Sequence, residues 1–220
     1  MALAALSGDE QGIIFSKLCN TLDPGIAVAF SSASSELREL TQALLLQLRS
    51  DYEVAGALCR KLRMGITSCK ELREAKKVQW FHKGLSSADL ATLGTLGSVL
   101  PALEELLLHA SPAGPDGVQR LLAGLVAGAL PAVRTVWPSD LHVGNAGASA
   151  LAAALGRGAL PRLKTLYLDN AAIGDAGLVA LAPALRQLPA LEAFDLDGNP
   201  IGDEGLAALV APPPPPAAAL

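Results

Sequence analysis

The chain has few aromatic residues and few cysteines. Only eight of its 220 residues are Phe, Trp or Tyr. The three cysteines, Cys19, Cys59 and Cys69, are odd in number and form no Cys-x-x-Cys pair. This argues against a disulfide-stabilised secreted domain. The histidines are too scattered for a zinc site. We therefore expect the cysteine thiols to be buried or unreactive, and we expect the protein to bind neither a metal nor another cofactor.

Long apolar runs and a targeting segment are also lacking. The charge-free apolar stretch between Arg120 and Arg134 contains Gly and Pro and is too short for a membrane span. The N-terminus has no basic segment, and Asp9 and Glu10 come where a signal peptide would continue. We expect no membrane association and a cytoplasmic location, with which a nuclear location is also compatible.

Common catalytic motifs are absent as well. The chain contains no G-x-S-x-G, no G-x-x-x-x-G-K-[ST] and no H-E-x-x-H. Asp169, Asp195 and Asp197 recur at aligned repeat positions, without a placed acid partner. The sequence therefore predicts a protein that is not an enzyme. Residues 85–220 carry six basic and twelve acidic side chains, which disfavours nucleic acid as a partner.

A repeated segment dominates the second half of the chain. Leu-Pro occurs at Leu100, Leu130, Leu160 and Leu188, at intervals of 30, 30 and 28 residues. Each unit then has a short strand pattern, two glycines three residues apart, and an apolar helical stripe. The strand positions are Leu103, Leu106, Leu108; Val133, Val136, Pro138; Leu163, Leu166, Leu168; and Leu191, Phe194, Leu196. One such unit cannot enclose a core, whereas stacked units share one.

A degenerate unit precedes these four. Aligning the later frame places Ala75, Val78 and Trp80 at strand positions. The segment SSADLATL would then form its helix, and Ser86 with Asp89 would form a capping box.

The segment LPALEAFDLDGNPIGDEGLAAL, Leu188 to Leu209, resembles the leucine-rich repeat family, with Asn199 capping the turn after the strand. The unit length and the IGDEGL and IGDAGL segments are similar to the ribonuclease-inhibitor subtype. The resemblance implies an α/β solenoid, with a curved parallel sheet on the concave face and helices outside. Two departures stand out: Pro138 should shorten its strand, and Ser111 and Leu141 occupy the Asn position.

The N-terminal region does not repeat and has helical periodicity. Ser7 and Glu10 predict a capping box, and Asp23 with Pro24 predicts the start of another helix. Further apolar stripes predict two successive helices, and Ser68 with Glu71 predicts a third helix start. The stripes are Leu37, Leu40, Leu44, Leu48 for the first and Val54, Ala57, Leu58, Leu62 for the second.

Residues 6–40 resemble an F-box. That family has Leu-Pro-x-Glu, then Leu-Asp-Pro, then a helix ending in Cys-x-x-Trp-x-x-Leu. The matching positions are Leu6, Glu10, Leu22-Asp23-Pro24, Ser34, Leu37 and Leu40. Ser7 replaces the usual Pro, Leu37 replaces Trp, and the first spacing is about one helical turn longer. The resemblance implies that Leu6, Leu22, Pro24, Ile26 and Phe30 contact a Skp-type adaptor of a cullin-based ubiquitin ligase. Alternatively, these helices only cap the first repeat.

These patterns predict a small all-α N-terminal module before the repeats. Residues 1–50 form the F-box-like module, 51–74 a helical connector or cap, 75–210 the leucine-rich repeats, and 211–220 a proline- and alanine-rich tail.

Two columns of residues should project from the concave face, because alternate strand residues point away from the core. The first column is Gln79, Leu107, Trp137, Tyr167 and Asp195, and the second is Phe81, His109, Ser139, Asp169 and Asp197. Trp137 and Tyr167 suit a binding hot spot. Alternatively, Trp137 turns inward and fills the gap left by Pro138.

The function expected from the sequence is non-catalytic protein binding. The F-box resemblance implies a substrate receptor for a ubiquitin ligase, with the target on the concave face. The alternative is a plain repeat scaffold or inhibitor whose N-terminus is a cap. A GTPase-activating role is less favoured, because Arg134 and Arg162 are the only arginines near a unit rim and neither lies in a recognisable loop.

Overall fold

The computed structural model describes residues 7–62, 66–81, 84–109, 113–138 and 141–211. The chain divides into two compact units, Met1–Ala75 and Lys76–Leu220. The first contains four helices among its described residues: α1 (Gly8–Leu18), α2 (Gly25–Ser32), α3 (Ser35–Leu62) and α4 (Cys69–Glu74). The predicted tail lies outside the described residues, apart from Ala211.

Capping boxes begin two of the N-terminal helices, as predicted. The Ser7 side chain accepts a hydrogen bond from the Glu10 amide, and the Glu10 carboxylate accepts one from the Ser7 amide. Ser68 and Glu71 make the same pair of bonds at α4. Each box satisfies amides that have no partner within the helix.

The sequence wrongly predicted three features of this unit. Asp23 does not cap α2, whose N-cap is Pro24; its carboxylate instead pairs with Arg73 at 3.2 Å. The two helices predicted between residues 37 and 62 are one helix, α3, because no Gly or Pro interrupts it near residue 50. Its buried face is also different, because Leu40 and Leu44 are exposed.

Phe15 of α1 anchors the core of the first unit. It packs with Ala27 of α2 and Leu48 of α3, and its ring lies 6.1 Å from that of Phe30. Thr41 and Ser31 form a buried hydrogen bond between α3 and α2. The three helices thus share one small apolar core with a satisfied polar pair beside it.

The second unit alternates strands with helices. Its strands are β1 (Lys77–Phe81), β2 (Glu105–His109), β3 (Thr135–Trp137), β4 (Thr165–Tyr167) and β5 (Ala193–Asp195). Its helices are α5 (Ser87–Leu96), α6 (Gly114–Gly124), α7 (Gly144–Gly156), α8 (Asp175–Leu185) and α9 (Asp203–Val210), and a short 3-10 turn follows α5. The strands form one parallel sheet in sequence order. Each strand–helix repeat of this second unit therefore lies beside the repeats that precede and follow it in the sequence.

The register confirms the repeat frame. Leu106, Val136, Leu166 and Phe194 stand side by side on β2 to β5. The predicted strand positions of the first three full units are buried, and so are their helical stripes. In the last unit the strand positions are only half-buried, and Leu206 of α9 is 52% exposed. In the predicted degenerate unit, the expected strand and helix are present as β1 and α5, and Ser86 and Asp89 form the expected capping box.

Side chains from one unit cap the helix of the next. Asn145 Oδ1 accepts hydrogen bonds from the Gly174 and Gly177 amides at 2.7 and 3.1 Å. Asp175 Oδ1 does the same for Gly202 and Gly205 at 2.7 and 2.9 Å. A Cβ on Gly177 or Gly205 would lie 2.6 Å from the capping oxygen. The second glycine of each pair therefore leaves room for the neighbour's cap.

Asn199 caps its turn, as predicted. Its Nδ2 donates to the carbonyls of Leu168 at 2.6 Å and Leu196 at 2.8 Å, and its Oδ1 accepts from the Ile173 amide at 2.9 Å. In the two preceding units this position holds Leu141 and Ala171, both fully buried. Ser111 lies outside the described residues.

Pro138 shortens strand pairing. Leu168 donates its amide to the Asp195 carbonyl at 2.9 Å, which extends the pairing of β4 with β5. Pro138 has no amide hydrogen to make the equivalent bond, and the pairing of β3 with β4 stops at Val136 and Leu166.

Candidate protein-interaction face

One face of the sheet packs against the helices, and the alternate residues project from the other face. On this second face Gln79, Leu107 and Trp137 are in register, and so are Tyr167 and Asp195. The short strands thereby place neighbouring units' side chains about 4.8 Å apart along the sheet. We call Trp137, Tyr167, Asp169, Asp195 and Asp197 the aromatic–acidic face.

Trp137 and Tyr167 form a ring pair on this face. Their centroids are 5.1 Å apart with an interplanar angle of 43°, and both residues are half-buried. The Trp137 indole N–H donates to Asp169 Oδ1 at 2.9 Å, which fixes the ring orientation. The alternative prediction, in which Trp137 turns inward, is wrong: Pro138 is itself buried at the core position.

Asp195 and Asp197 extend the pair towards the edge of the sheet. Asp195 is half-buried and its Oδ1 accepts the Asp197 amide at 2.9 Å, while Asp197 is exposed. Neither carboxylate forms an ion pair with another described residue. The aromatic pair thus borders on a negatively charged strip.

The other members of the two predicted columns contribute less. Leu107 is 5% exposed, so the prediction that it projects into solvent is wrong; it lies in register between Gln79 and Trp137. Gln79 is half-buried. Ser139 and the side chains of Phe81 and His109 lie outside the described part of the structure.

The sequence prediction missed the residues that lie two positions before the first column on the same face of the sheet. Glu105, Thr135 and Thr165 are in register and half-buried, and Glu105 pairs with Lys77 at 2.6 Å. The period of two along each strand identifies these positions, because they precede the first column by two residues. They add a polar border to the aromatic pair.

The predicted adaptor contacts have different environments. Leu22 is buried, whereas Pro24 and Phe30 are half-buried, and Phe30 packs against the core. Ile26 is 60% exposed. Leu6 lies outside the described residues. A direct contact is thus open to Ile26, while Leu22 supports the fold.

A shallow apolar groove in the first unit was not predicted. It lies between α1 and α3, has a volume of about 590 Å³, and includes Ile13, Leu40 and Leu44 in its lining. All three side chains are roughly half exposed or more. The regular spacing of leucines in α3 signals an apolar stripe but does not show which part of it is covered.

The thiols are arranged for stability rather than reactivity. Cys59 and Cys69 are buried and in mutual contact, and burial raises the pKa of Cys59 to about 12. Burial also raises the pKa values of Cys69 and Cys19. Because the thiolate is the reactive form, neither buried thiol is activated. Within the described ranges, no group of three or more His, Cys, Asp or Glu residues is arranged to hold a metal ion.

The model of the family described as leucine-rich repeat matches residues 160–182 and 187–210. Residues 160–210 therefore carry leucine-rich repeats. The matched segments contain β4, most of α8, β5 and α9, and therefore include Tyr167 and all three aspartates of the aromatic–acidic face. No curated protein matches the chain. None of the helices in the described ranges is both long and apolar enough to cross a membrane.

Proposed function

We propose that this leucine-rich-repeat protein is a non-catalytic binding protein that holds a polypeptide partner on its aromatic–acidic face. One observation carries the proposal: Trp137 and Tyr167 remain partly exposed in a chain with only eight aromatic residues, and Asp169 fixes the indole. Large aromatic side chains dominate the energetics of many protein interfaces.

Rigidity supports this assignment. The ring pair rests on a parallel sheet, and the indole has one hydrogen-bonded orientation, so little side-chain entropy is lost on binding. Leu107, in register with Trp137, is apolar and buried. A partner would meet an apolar centre with a polar border, which is the usual arrangement of a protein interface.

Affinity purification from native lysate tests the proposal. We expect Trp137→Ala combined with Tyr167→Ala to abolish recovery of partners that the wild-type chain retains. Tyr52→Ala is the matched control, because Tyr52 is also a partly exposed aromatic residue but lies on α3. Equal recovery by wild type and the double variant would contradict the proposed binding face.

A second function is favoured by the groove between α1 and α3. In this proposal the F-box-like unit recruits a Skp-type adaptor, and the repeats bring a substrate to a ubiquitin ligase. The groove offers exposed apolar side chains, which monomeric proteins seldom leave clustered. The F-box resemblance implies several adaptor contacts, and among those that the structure describes, Ile26 is the one with an exposed side chain.

The adaptor hypothesis predicts that Leu40→Ser with Leu44→Ser abolishes co-purification of adaptor and cullin. Leu46→Ser is the control, because Leu46 lies on the same helix and is 60% exposed but does not line the groove. If adaptor is absent from the wild-type sample while the repeats still retain a partner, the alternative of a plain scaffold or inhibitor with a helical cap is favoured.

A further inference from the structure

Charge is distributed unevenly along the strands of the second unit. At the strand starts, acids and bases are paired across neighbouring strands: Lys76 with Glu104 at 3.6 Å and Lys77 with Glu105 at 2.6 Å. Lys164 pairs with Glu192 in the same way. At the opposite ends of β4 and β5 lie Asp169, Asp195 and Asp197. Among the described residues, the acids at the strand starts are thus paired with bases, whereas Asp195 and Asp197 beside the aromatic pair form no ion pair.

We propose that the aromatic–acidic face takes a basic segment of its partner, with an arginine side chain stacked on Trp137 and Tyr167. This inference rests on the proposed function and adds the chemistry of the partner. Charge complementarity commits the face to this occupant: two carboxylates without ion pairs among the described residues adjoin an aromatic surface.

Arginine fits this arrangement better than lysine. A guanidinium plane stacks on an aromatic face and still directs its N–H groups sideways to carboxylates. Asp195 is in register with Tyr167, so the two side chains project from neighbouring strands on the same face of the sheet. Asp169 holds the indole edge. Both the stacking surface and an acceptor for the guanidinium are therefore present in one place.

The same charges exclude other partners. Residues 85–220 have a net charge of −6, so an acidic peptide meets repulsion as it approaches. A wholly apolar peptide would leave the carboxylates of Asp195 and Asp197 partly desolvated without a partner. The face therefore discriminates by charge as well as by shape.

Selection from a random dodecapeptide display library tests this inference. The bait is the full chain, with counter-selection against the Trp137→Ala, Tyr167→Ala double variant, so that only face-dependent peptides are retained. We expect these peptides to be rich in arginine. Their binding is then measured by fluorescence anisotropy at about 50 mM and about 500 mM salt, and it should weaken as salt screens the carboxylates.

Isosteric neutralisation supplies the decisive comparison. Asp195→Asn with Asp197→Asn should weaken arginine-rich peptides about tenfold, while replacing the peptide arginines by lysine should weaken them about threefold. The control is Asp203→Asn with Glu204→Gln, which removes the same charge from exposed residues of α9 and should change binding less than twofold. Tryptophan fluorescence during heating checks the fold, and Asp197→Asn alone replaces the double variant if that variant unfolds early.

The outcomes separate the two proposals. Face-dependent peptides without an excess of basic residues, or unchanged binding to the double asparagine variant, would overturn the arginine assignment and leave the binding face intact. If no selected peptide depends on Trp137 and Tyr167, both proposals fail.

Discussion

Val136 borders a small cavity in the core of the second unit. The cavity has a volume of about 30 Å³ and an entirely apolar lining. Val136 stands in register with Leu106 and Leu166, so its strand supplies one carbon fewer than its neighbours at this position. Pro138, which also lines the cavity, likewise replaces a leucine of the repeat pattern. The packing defect thus lies where Val136 and Pro138 depart from the repeat pattern.

Replacing Val136 by leucine should stabilise the second unit by about 1 kcal/mol. Burying one further CH2 group contributes about 0.8 kcal/mol. Removing a 30 Å³ cavity is worth about 0.7 kcal/mol at roughly 24 cal/mol per Å³, and this overlaps with the first figure. For a chain of this size the midpoint of thermal unfolding should rise by about 2–4 °C.

Tryptophan fluorescence is the suitable assay, because both tryptophans, Trp80 and Trp137, belong to the second unit. Urea and thermal unfolding followed by this signal therefore report residues 76–220 without the N-terminal helices. Val133→Leu is the matched control: Val133 is fully buried two residues before β3 but does not line the cavity. Overpacking should make it destabilising by about 1–3 kcal/mol. If Val136→Leu destabilises as much as Val133→Leu, the space is not available to a side chain and the reasoning is wrong.

Four further predictions follow from individual contacts. Asn199→Ala should lower the free energy of unfolding of the second unit by about 1–3 kcal/mol in urea titration, because it leaves polar backbone groups without partners. Arg157→Ala should cost about 1 kcal/mol in the same assay, since its guanidinium donates to the Leu122 and Leu125 carbonyls at the end of α6. The pKa of Glu10 should be below its usual value by NMR titration, owing to its bonds to Ser7; the cap is then complete above the unfolded-state pKa and lost as pH falls through the folded one. Cys59 should react with a thiol reagent at about pH 8 far more slowly in the folded than in the urea-unfolded chain, because burial raises its pKa to about 12.

Strand and helix positions in the second unit could be predicted from the sequence because their apolar spacing repeats. Because the same apolar pattern occurs four times, it remains recognisable despite a local exception such as Pro138. The strand and helix before Leu100 were also predicted, because the repeat frame extends back to them and Ser86 and Asp89 lie at capping-box spacing. A periodic pattern therefore constrains each unit through its neighbours as well as through its own residues.

The N-terminal helices had no such constraint. A continuous leucine stripe in α3 is compatible with several buried faces, and only the packing of α1 and α2 decides which is covered. Asp23 illustrates the same limit: its place before Pro24 favours a helix cap, but a partner fifty residues away, Arg73, lies within 3.2 Å of its carboxylate. Local propensity cannot anticipate such a contact.

The residues of the aromatic–acidic face could be predicted from the sequence, but the contacts between them could not. Period-two alternation placed Trp137 and Tyr167 in one column and Asp169 in the next. It did not reveal the bond between the indole and the Asp169 carboxylate, which crosses both the columns and the strands. Nor did it show that Leu107 would be covered, because exposure depends on the size of neighbouring side chains.

The departures from the repeat pattern also explain how the units stay joined. A single asparagine, Asn199, occupies the turn-capping position among the described units, whereas Leu141 and Ala171 fill it with buried apolar side chains. Those units rely on another link, in which Asn145 and Asp175 reach from one helix start to the amides of the next. Each of these caps belongs to a different repeat unit from the helix it stabilises. The start of each capped helix is therefore held by the repeat unit before it. The stability of the face that carries Tyr167 and Asp195 is therefore a property of adjacent repeat units together. A substitution in the core beneath β4 or β5 should alter the stability of both strands.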